Sequence, residues 1–265
     1  NMSDVFFEEL DIPRPDHHLN IGSGPHGAMT GRMLEAIEKT LGEEKPDWVL
    51  VYGDTDSTLA GALAAVKLHI RVAHVEAGLR SFNRRMPEEI NRVLTDHTAE
   101  LLFTPTQAAD DHLYNEGIAA AKIKRVGDVM YDAALYYDAK AKASSTILSR
   151  LDLAPSQYVL ATIHRAENTD DPKRLQAIMD GLAAVAADTP VVLPIHPRTR
   201  HTLERTDLLT SLSPRIRLID PVGYLDMVML EANTSLIATD SGGVQKEAFF
   251  HQVPCVTLRD NTEVV

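Results

Sequence analysis

One feature constrains the fold more than any other: short apolar runs alternate with longer segments of helical spacing along the whole chain. In the first half the runs are Trp48 to Tyr52, Ile70 to Val75, Leu101 to Phe103 and Ile123 to Val126. In the second half they are Tyr158 to Ile163, Val191 to Ile195, Ile216 to Ile219, Leu236 to Ala238 and Pro254 to Leu258. The segments between them place apolar residues on one side, as Met29, Met33, Ile37 and Leu41 do before the first run. Leu175, Ile178, Leu182 and Val185 do the same between Lys173 and Ala187. Continuous apolar strands alternating with helices predict parallel sheets covered by helices on both faces. The small residues from Lys140 to Ser145 read as a bridge. The expectation is α/β, with two Rossmann-like domains facing a central cleft, residues 1–142 and 143–265.

Ligands of such sheets bind beyond the carboxyl ends of the strands. Here those ends carry Asp54, Glu76, Thr104, His164, His196, Asp220, Asp240 and Arg259. One polar residue after a strand is ordinary; so many ionisable ones, from both halves, point to a site. Composition narrows its ligand. The formal net charge is −12, from 38 acids against 26 Lys and Arg, which argues against nucleic acid or an anionic membrane as partner. A local anion site remains open, because backbone N–H groups at a helix start can build one. Cys255 is the single cysteine and lies in an apolar run. That excludes a disulfide framework and a thiolate zinc site, and predicts an inert buried side chain in a reducing compartment. Neither a signal peptide nor an apolar run long enough to span a bilayer is present. The start at Asn1-Met2 and the stop at Val265 read as the ends of a piece of a longer chain.

Five stretches carry chemistry. Glu76 follows directly on an apolar strand, with Arg80 just beyond, and Pro87-Glu88-Glu89 opens the next helix with Arg92 behind it. Proline and acids also suit a plain helix start. Gly53-Asp54-Thr55-Asp56-Ser57 contains Asp-x-Asp, which can hold a divalent cation. The chain runs straight into a helix there, so Asp56 reads as a cap and Asp54 as the site residue. His164-Arg165 and His196-Pro197-Arg198 each follow a strand, and imidazole with guanidinium suits a diphosphate. Ordinary loop charges would look the same. Asp240-Ser241-Gly242-Gly243 lies between strand and helix, where glycines let a phosphate approach backbone N–H groups and Ser241 adds a hydroxyl. An N-capped tight turn is the alternative. Glu247 lies a turn further in. It can accept hydrogen bonds from ribose hydroxyls, although in isolation it reads as a solvated helix residue.

Taken in order, Gly53-Asp54-Thr55, His74-Val75-Glu76-Ala77-Gly78-Leu79-Arg80-Ser81, Pro87-Glu88-Glu89-Ile90-Asn91-Arg92, His164-Arg165, His196-Pro197 and Asp240-Ser241-Gly242-Gly243-Val244-Gln245 resemble the non-hydrolysing UDP-N-acetylglucosamine 2-epimerases. The match runs along nearly the whole chain. It implies a glycosyltransferase-B-like pair of domains, the second binding UDP, with the first strands of one and the last helix of the other outside these 265 residues. The implied reaction inverts C2 of UDP-N-acetylglucosamine to give UDP-N-acetylmannosamine. The C2 proton and UDP leave, and UDP adds back with a proton delivered to the other face. Implied acid–base groups are Asp54, Glu76 and Glu88, with His164 on the UDP side. Implied substrate-binding residues are Arg80, Arg165, His196, Ser241, Gly242, Gly243 and Glu247. Neither a metal nor a nicotinamide is implied. A homodimer in the cytoplasm, serving cell-surface polysaccharide synthesis, is. Three alternatives stay open: a UDP-2,3-diacetamido-glucuronate 2-epimerase, a UDP-sugar glycosyltransferase on the same fold, and a silent UDP-sugar-binding regulator.

Overall fold

The computed structural model describes residue 7, residues 9–205 and residues 214–260. Its contacts divide the chain into two compact units, Pro15–Val129 and a second one that joins the segment before Pro15 to everything from Met130 onward.

The first unit runs α1 (His26–Glu44), β1 (Trp48–Tyr52), α2 (Asp56–Lys67), β2 (Arg71–Val75), α3 (Pro87–Thr98), β3 (Leu101–Thr104), α4 (Gln107–Asn115) and β4 (Ile123–Arg125). The four strands are parallel, in the order β1-β2-β3-β4. Its core joins Val51, Val72, Leu102 and Ile123 to Ala62 and Ala65 of α2 and Leu113 of α4. Small residues let α2 lie close to the sheet: a Cβ on Gly61 would sit 3.2 Å from a Val51 methyl. Strand β1, paired on one side only among the described residues, alternates instead of burying both faces. Val51 is buried, while Trp48, Leu50 and Tyr52 are exposed, and the Arg71 guanidinium stacks 4.5 Å from the Trp48 ring.

The second unit runs α5 (Val129–Ser144), α6 (Ile147–Arg150), β5 (Val159–Thr162), α7 (Ala166–Thr169), α8 (Pro172–Ala186), β6 (Val191–Pro194), α9 (Pro197–Arg205), β7 (Ile216–Ile219), α10 (Tyr224–Ala232), β8 (Leu236–Thr239), α11 (Gly242–Phe250) and β9 (Cys255–Thr257). Its parallel sheet has the order β7-β6-β5-β8-β9. The order therefore reverses between β5 and β8, the switch point where doubly wound sheets take their ligands. Central strand β5 is buried throughout, as its continuous apolar run requires. One core packs β5 and β6 against Leu175, Met179 and Leu182 of α8; another packs Tyr158, Leu160 and Ile237 against Leu230 and Ala248.

Three expectations change. The bridge at Lys140–Ser145 is helix as far as Ser144, because lysine, alanine and serine there continue the spacing of α5 without a breaker. The units divide at Met130, ahead of the boundary expected at 142/143. Cys255 is exposed, not buried, as is every residue of β9, which among the described residues pairs on one side only.

The segment before Pro15 is stitched to the second unit. Both oxygens of Glu9 accept from the first backbone N–H groups of α10, at Tyr224 (2.8 Å) and Leu225 (3.0 Å). Lys140 donates to the Glu9 carbonyl, and Tyr137 to that of Leu10. Gly223 makes room for this cap: a Cβ there would collide with the Glu9 carboxylate.

Candidate active site

In the first unit the candidate residues gather at the carboxyl ends of β1 and β2. The chain turns at Gly53 with a φ of 65°, and Asp54 follows. Thr55, in extended backbone, is the cap of α2 in place of the expected Asp56; its N–H donates to the Thr58 hydroxyl at 3.2 Å. The Gly53 turn leaves Asp56 one residue inside the helix, where it accepts from Asn91 (3.1 Å) and meets His26 Nδ1 (2.8 Å). Asp54 is a third exposed, and one of its oxygens accepts from Arg92 at 2.5 Å.

Arg92 is buried and bridges Asp54 to Glu89. Glu89 also accepts from the Ser81 N–H, the Ser81 hydroxyl and the Phe82 N–H. The two glutamates that open α3 thus part ways. Glu89 is a buried brace for the loop after β2. Glu88 makes none of these contacts, is partly exposed, and lines a cavity of about 220 Å³ with His26, Asp56 and Asn91.

Glu76 leaves β2 with a φ of 73°, a left-handed geometry that costs a non-glycine residue of order 1 kcal/mol and is held only where surroundings enforce it. Here the N–H groups of Glu76 and Ala77 both donate to the Phe103 carbonyl, at 3.1 and 3.0 Å. The result aims the carboxylate toward the Gly53 turn, where a Cβ would lie 3.7 Å from Glu76 Oε2. Beneath it, His74 is buried between the Gly53 carbonyl and Asp96, each 2.7 Å away. Asp96 further accepts from the Gly78 N–H and from Arg80. Arg80, expected to meet substrate, is 3% exposed. Its Nε and one terminal nitrogen chelate Glu116 at 2.7 Å, while the other terminal nitrogen reaches Asp96 and the Leu79 carbonyl. The hydrogen bond from Arg80 holds Glu116 below the usual carboxylate range. Asp96 and Glu116 are residues that motif reading missed, because nothing local marks a partner on another element.

In the second unit the candidate residues flank the switch point. Asp240 ends β8 fully buried, and its carboxylate gathers the loop after β5: it accepts from the N–H groups of His164 (3.1 Å) and Arg165 (3.0 Å) and from the Asn168 amide (2.9 Å). The ring of His164 stays nearly half exposed, with Nδ1 3.2 Å from Asp240. Desolvation lowers its pKa, opposed by Asp240 and helped by Arg165, His196 and Arg259. His164 therefore shares its surroundings with Arg165, His196 and Arg259. Arg259 also approaches Glu167 at 3.7 Å. The side chain of Arg198 lies outside the described residues.

Ser241 caps α11, its Oγ accepting from the Val244 N–H at 3.4 Å, and its own N–H donates to Thr239. Gly242 and Gly243 form the first helical turn, whose N–H groups have no acceptor within the helix. An exposed imidazole, a guanidinium and a glycine helix start on one edge of one sheet can bind a diphosphate. Glu247, on α11, is buried rather than solvated, and burial pushes its pKa up to about 7.

Two parallel sheets wrapped by helices, one with a glycine-started helix at its switch point, make this an α/β protein of the glycosyltransferase-B-like class. The family model described as "UDP-N-acetylglucosamine 2-epimerase" matches residues 1–265, and the chain belongs to that family. A UDP-2,3-diacetamido-2,3-dideoxy-D-glucuronate 2-epimerase of Pseudomonas aeruginosa is 56% identical over 100% of this chain and 73% of its own length. A UDP-N-acetylglucosamine 2-epimerase homolog of Methanococcus maripaludis is also 56% identical, over 100% of this chain and 74% of its own. The crystal structure of Methanocaldococcus jannaschii UDP-GlcNAc 2-epimerase, in complex with UDP-GlcNAc and UDP, superposes with a TM-score of 0.91. It is 52% identical, over 98% of this chain and 73% of that one. The enzyme class is UDP-sugar 2-epimerase.

Proposed function

We propose that this enzyme interconverts UDP-N-acetylglucosamine and UDP-N-acetylmannosamine by eliminating UDP and adding it back. The carrying observation is the pair of accessible carboxylates after β1 and β2: Asp54 is held by Arg92, and Glu76 is held in left-handed backbone. Breaking the C2–H bond while the C1–O bond to UDP breaks leaves a C1=C2 double bond. Reversal with protonation of the opposite face inverts C2. One carboxylate cannot easily serve both faces, so the reaction needs differently placed groups. In this reading Glu76 and Glu88 exchange the C2 proton and Asp54 assists them. His164 sits on the departing UDP. Arg165, His196, Ser241, Gly242 and Gly243 bind the diphosphate, and Glu247 the ribose. Arg80, committed to Asp96 and Glu116, becomes a positioning residue for the loop that carries Glu76.

The 56% identity to a UDP-2,3-diacetamido-2,3-dideoxy-D-glucuronate 2-epimerase favours a second substrate of the same reaction. Incubating the enzyme with each sugar nucleotide in deuterated water tests both. Deuterium at C2 and faster epimerisation of UDP-N-acetylglucosamine are expected. Faster turnover of the diacetamido-glucuronate would move the assignment to that sugar. Sugar transfer to an added acceptor without C2 exchange would overturn epimerisation.

A further inference from the structure

His74 is buried in the middle of the first unit's sheet, and the reaction proposed above gives it no part. Its neighbours across the strands are Val51 of β1 and Leu102 of β3, both buried and apolar. An imidazole with no exposed surface is costly in such a place unless its ring nitrogens are partnered. Both are. Nε2 lies 2.7 Å from the Gly53 carbonyl oxygen, and Nδ1 lies 2.7 Å from Asp96 Oδ1.

Each partner fixes a proton. A carbonyl oxygen only accepts, so Nε2 carries a hydrogen and donates it to Gly53. The Asp96 side chain is itself without exposed surface. Its other oxygen accepts from the Gly78 N–H at 3.1 Å and from Arg80 at 2.7 Å. An aspartate placed between a guanidinium and a backbone N–H is a carboxylate, and a carboxylate only accepts. Nδ1 therefore donates as well. Arg80 does not balance Asp96 alone, because two of its nitrogens are bound to Glu116, each at 2.7 Å. The remaining positive charge beside Asp96 is that of a doubly protonated ring.

We propose that His74 is a positioning residue for the acid–base carboxylates: an imidazolium at neutral pH that pins the turn carrying Asp54 to the strand carrying Glu76. This rests on the reading of Asp54 and Glu76 as acid–base groups. The turn opens at Gly53 in left-handed backbone, and two consecutive residues of β2 hold it. The Gly53 N–H donates to the Val75 carbonyl at 3.1 Å, and His74 donates to the Gly53 carbonyl. Asp54 is the next residue on one side, and Glu76 the next on the other. A charged donor makes a hydrogen bond roughly twice as strong as a neutral one, and Asp96 behind the ring keeps it from turning. Without that bond the Gly53 peptide is free to rotate and Asp54 shifts against Glu76. A misplacement of about 1 Å can cost on the order of a hundredfold in rate.

Two carboxamides separate the two ends of the ring. Asparagine reaches as far as Nδ1 and can donate only to Asp96; glutamine reaches as far as Nε2 and can donate to Gly53. His74→Asn should lower turnover, read as deuterium entry at C2 of UDP-N-acetylglucosamine, by about tenfold to a hundredfold. UDP affinity should stay near that of the wild type. His74→Gln should keep about tenfold more turnover than His74→Asn, although both lose the charge and melt at lower temperature. Equal turnover in the two variants, or losses that simply follow the melting temperatures, would overturn the positioning role. Nitrogen NMR of the histidine-labelled wild type, without substrate, needs neither the variants nor the reaction. The ring in contact with Gly53 should carry a proton on both nitrogens at neutral pH. A bare Nδ1 would place the proton on Asp96 and overturn the imidazolium. A doubly protonated His74 in a wild type that exchanges no deuterium at C2 would overturn the epimerase reading, and the positioning role with it, while the charge stands.

Discussion

Single residues decide the chemistry. Glu76→Gln and Glu88→Gln remove a titrating proton while keeping shape, so each should leave UDP affinity near normal. Each should cut turnover by about two orders of magnitude, the scale of a lost general acid or base. UDP titration paired with deuterium entry at C2 checks this, and wild-type exchange in both variants would make the glutamates structural. Gly78 tests the backbone beneath them. Its φ is 82°, and a Cβ there would lie 2.5 Å from the Ala109 carbonyl oxygen. Gly78→Ala should destabilise by about 2 kcal/mol or more, read as a lower denaturation midpoint. Motif reading named candidate positions but not their partners. Spacing treated Glu88 and Glu89 alike, and only the family resemblance singled out Glu88, because the groups that claim Glu89 lie in the loop and at Arg92. Nor could it see that Arg80 is taken by Glu116, 36 residues away. Such pairings exist only after the elements pack.

At the scale of elements, periodicity located the nine strands of the described residues and most of the longer helices to within a few residues, but not the short helices α6 and α7. The misses have local causes. The helix α9 is so rich in charge that it lacks an apolar stripe, although proline at its first position was a start signal. The cap of α2 fell one residue early because the glycine turn, not side-chain preference alone, sets where helical backbone begins. Asp240 is the element-level organiser, tying the loop after β5 to the end of β8. Asp240→Ala strands two backbone N–H groups and an amide. It should cost about 3 kcal/mol or more, since bonds to a charged acceptor contribute about 1.5–3 kcal/mol each. UDP affinity should drop at least tenfold. Unfolding curves and calorimetry would measure the two effects separately, and unchanged values in both would remove Asp240 from this role.

Across the whole molecule, the buried acids leave a mark on stability. Glu247 binds its proton more tightly when folded than unfolded, with a folded pKa of about 7 against 4.5. Between those values the native state holds more protons than the unfolded chain, so stability falls as pH rises. The contribution is fully present below the unfolded value and gone above the folded one. Without nucleotide, the wild type should melt at a progressively lower temperature from mildly acidic to neutral pH. Glu247→Gln should flatten that slope; an equal slope in both proteins would show that other groups set it.

The Glu9 cap has a consequence for how the protein is made. Its carboxylate and the α10 backbone it satisfies are 215 residues apart, and the compact unit of Pro15–Val129 is complete in between. During synthesis the segment carrying Glu9 therefore emerges well before the helix start that it caps. A ribosome-bound chain stopped before Tyr224 can offer that segment only the Tyr137 and Lys140 contacts of α5. A rearranged chain that carries residues 7–14 directly ahead of Met130 would shorten that separation, and should refold faster than the natural order of the chain.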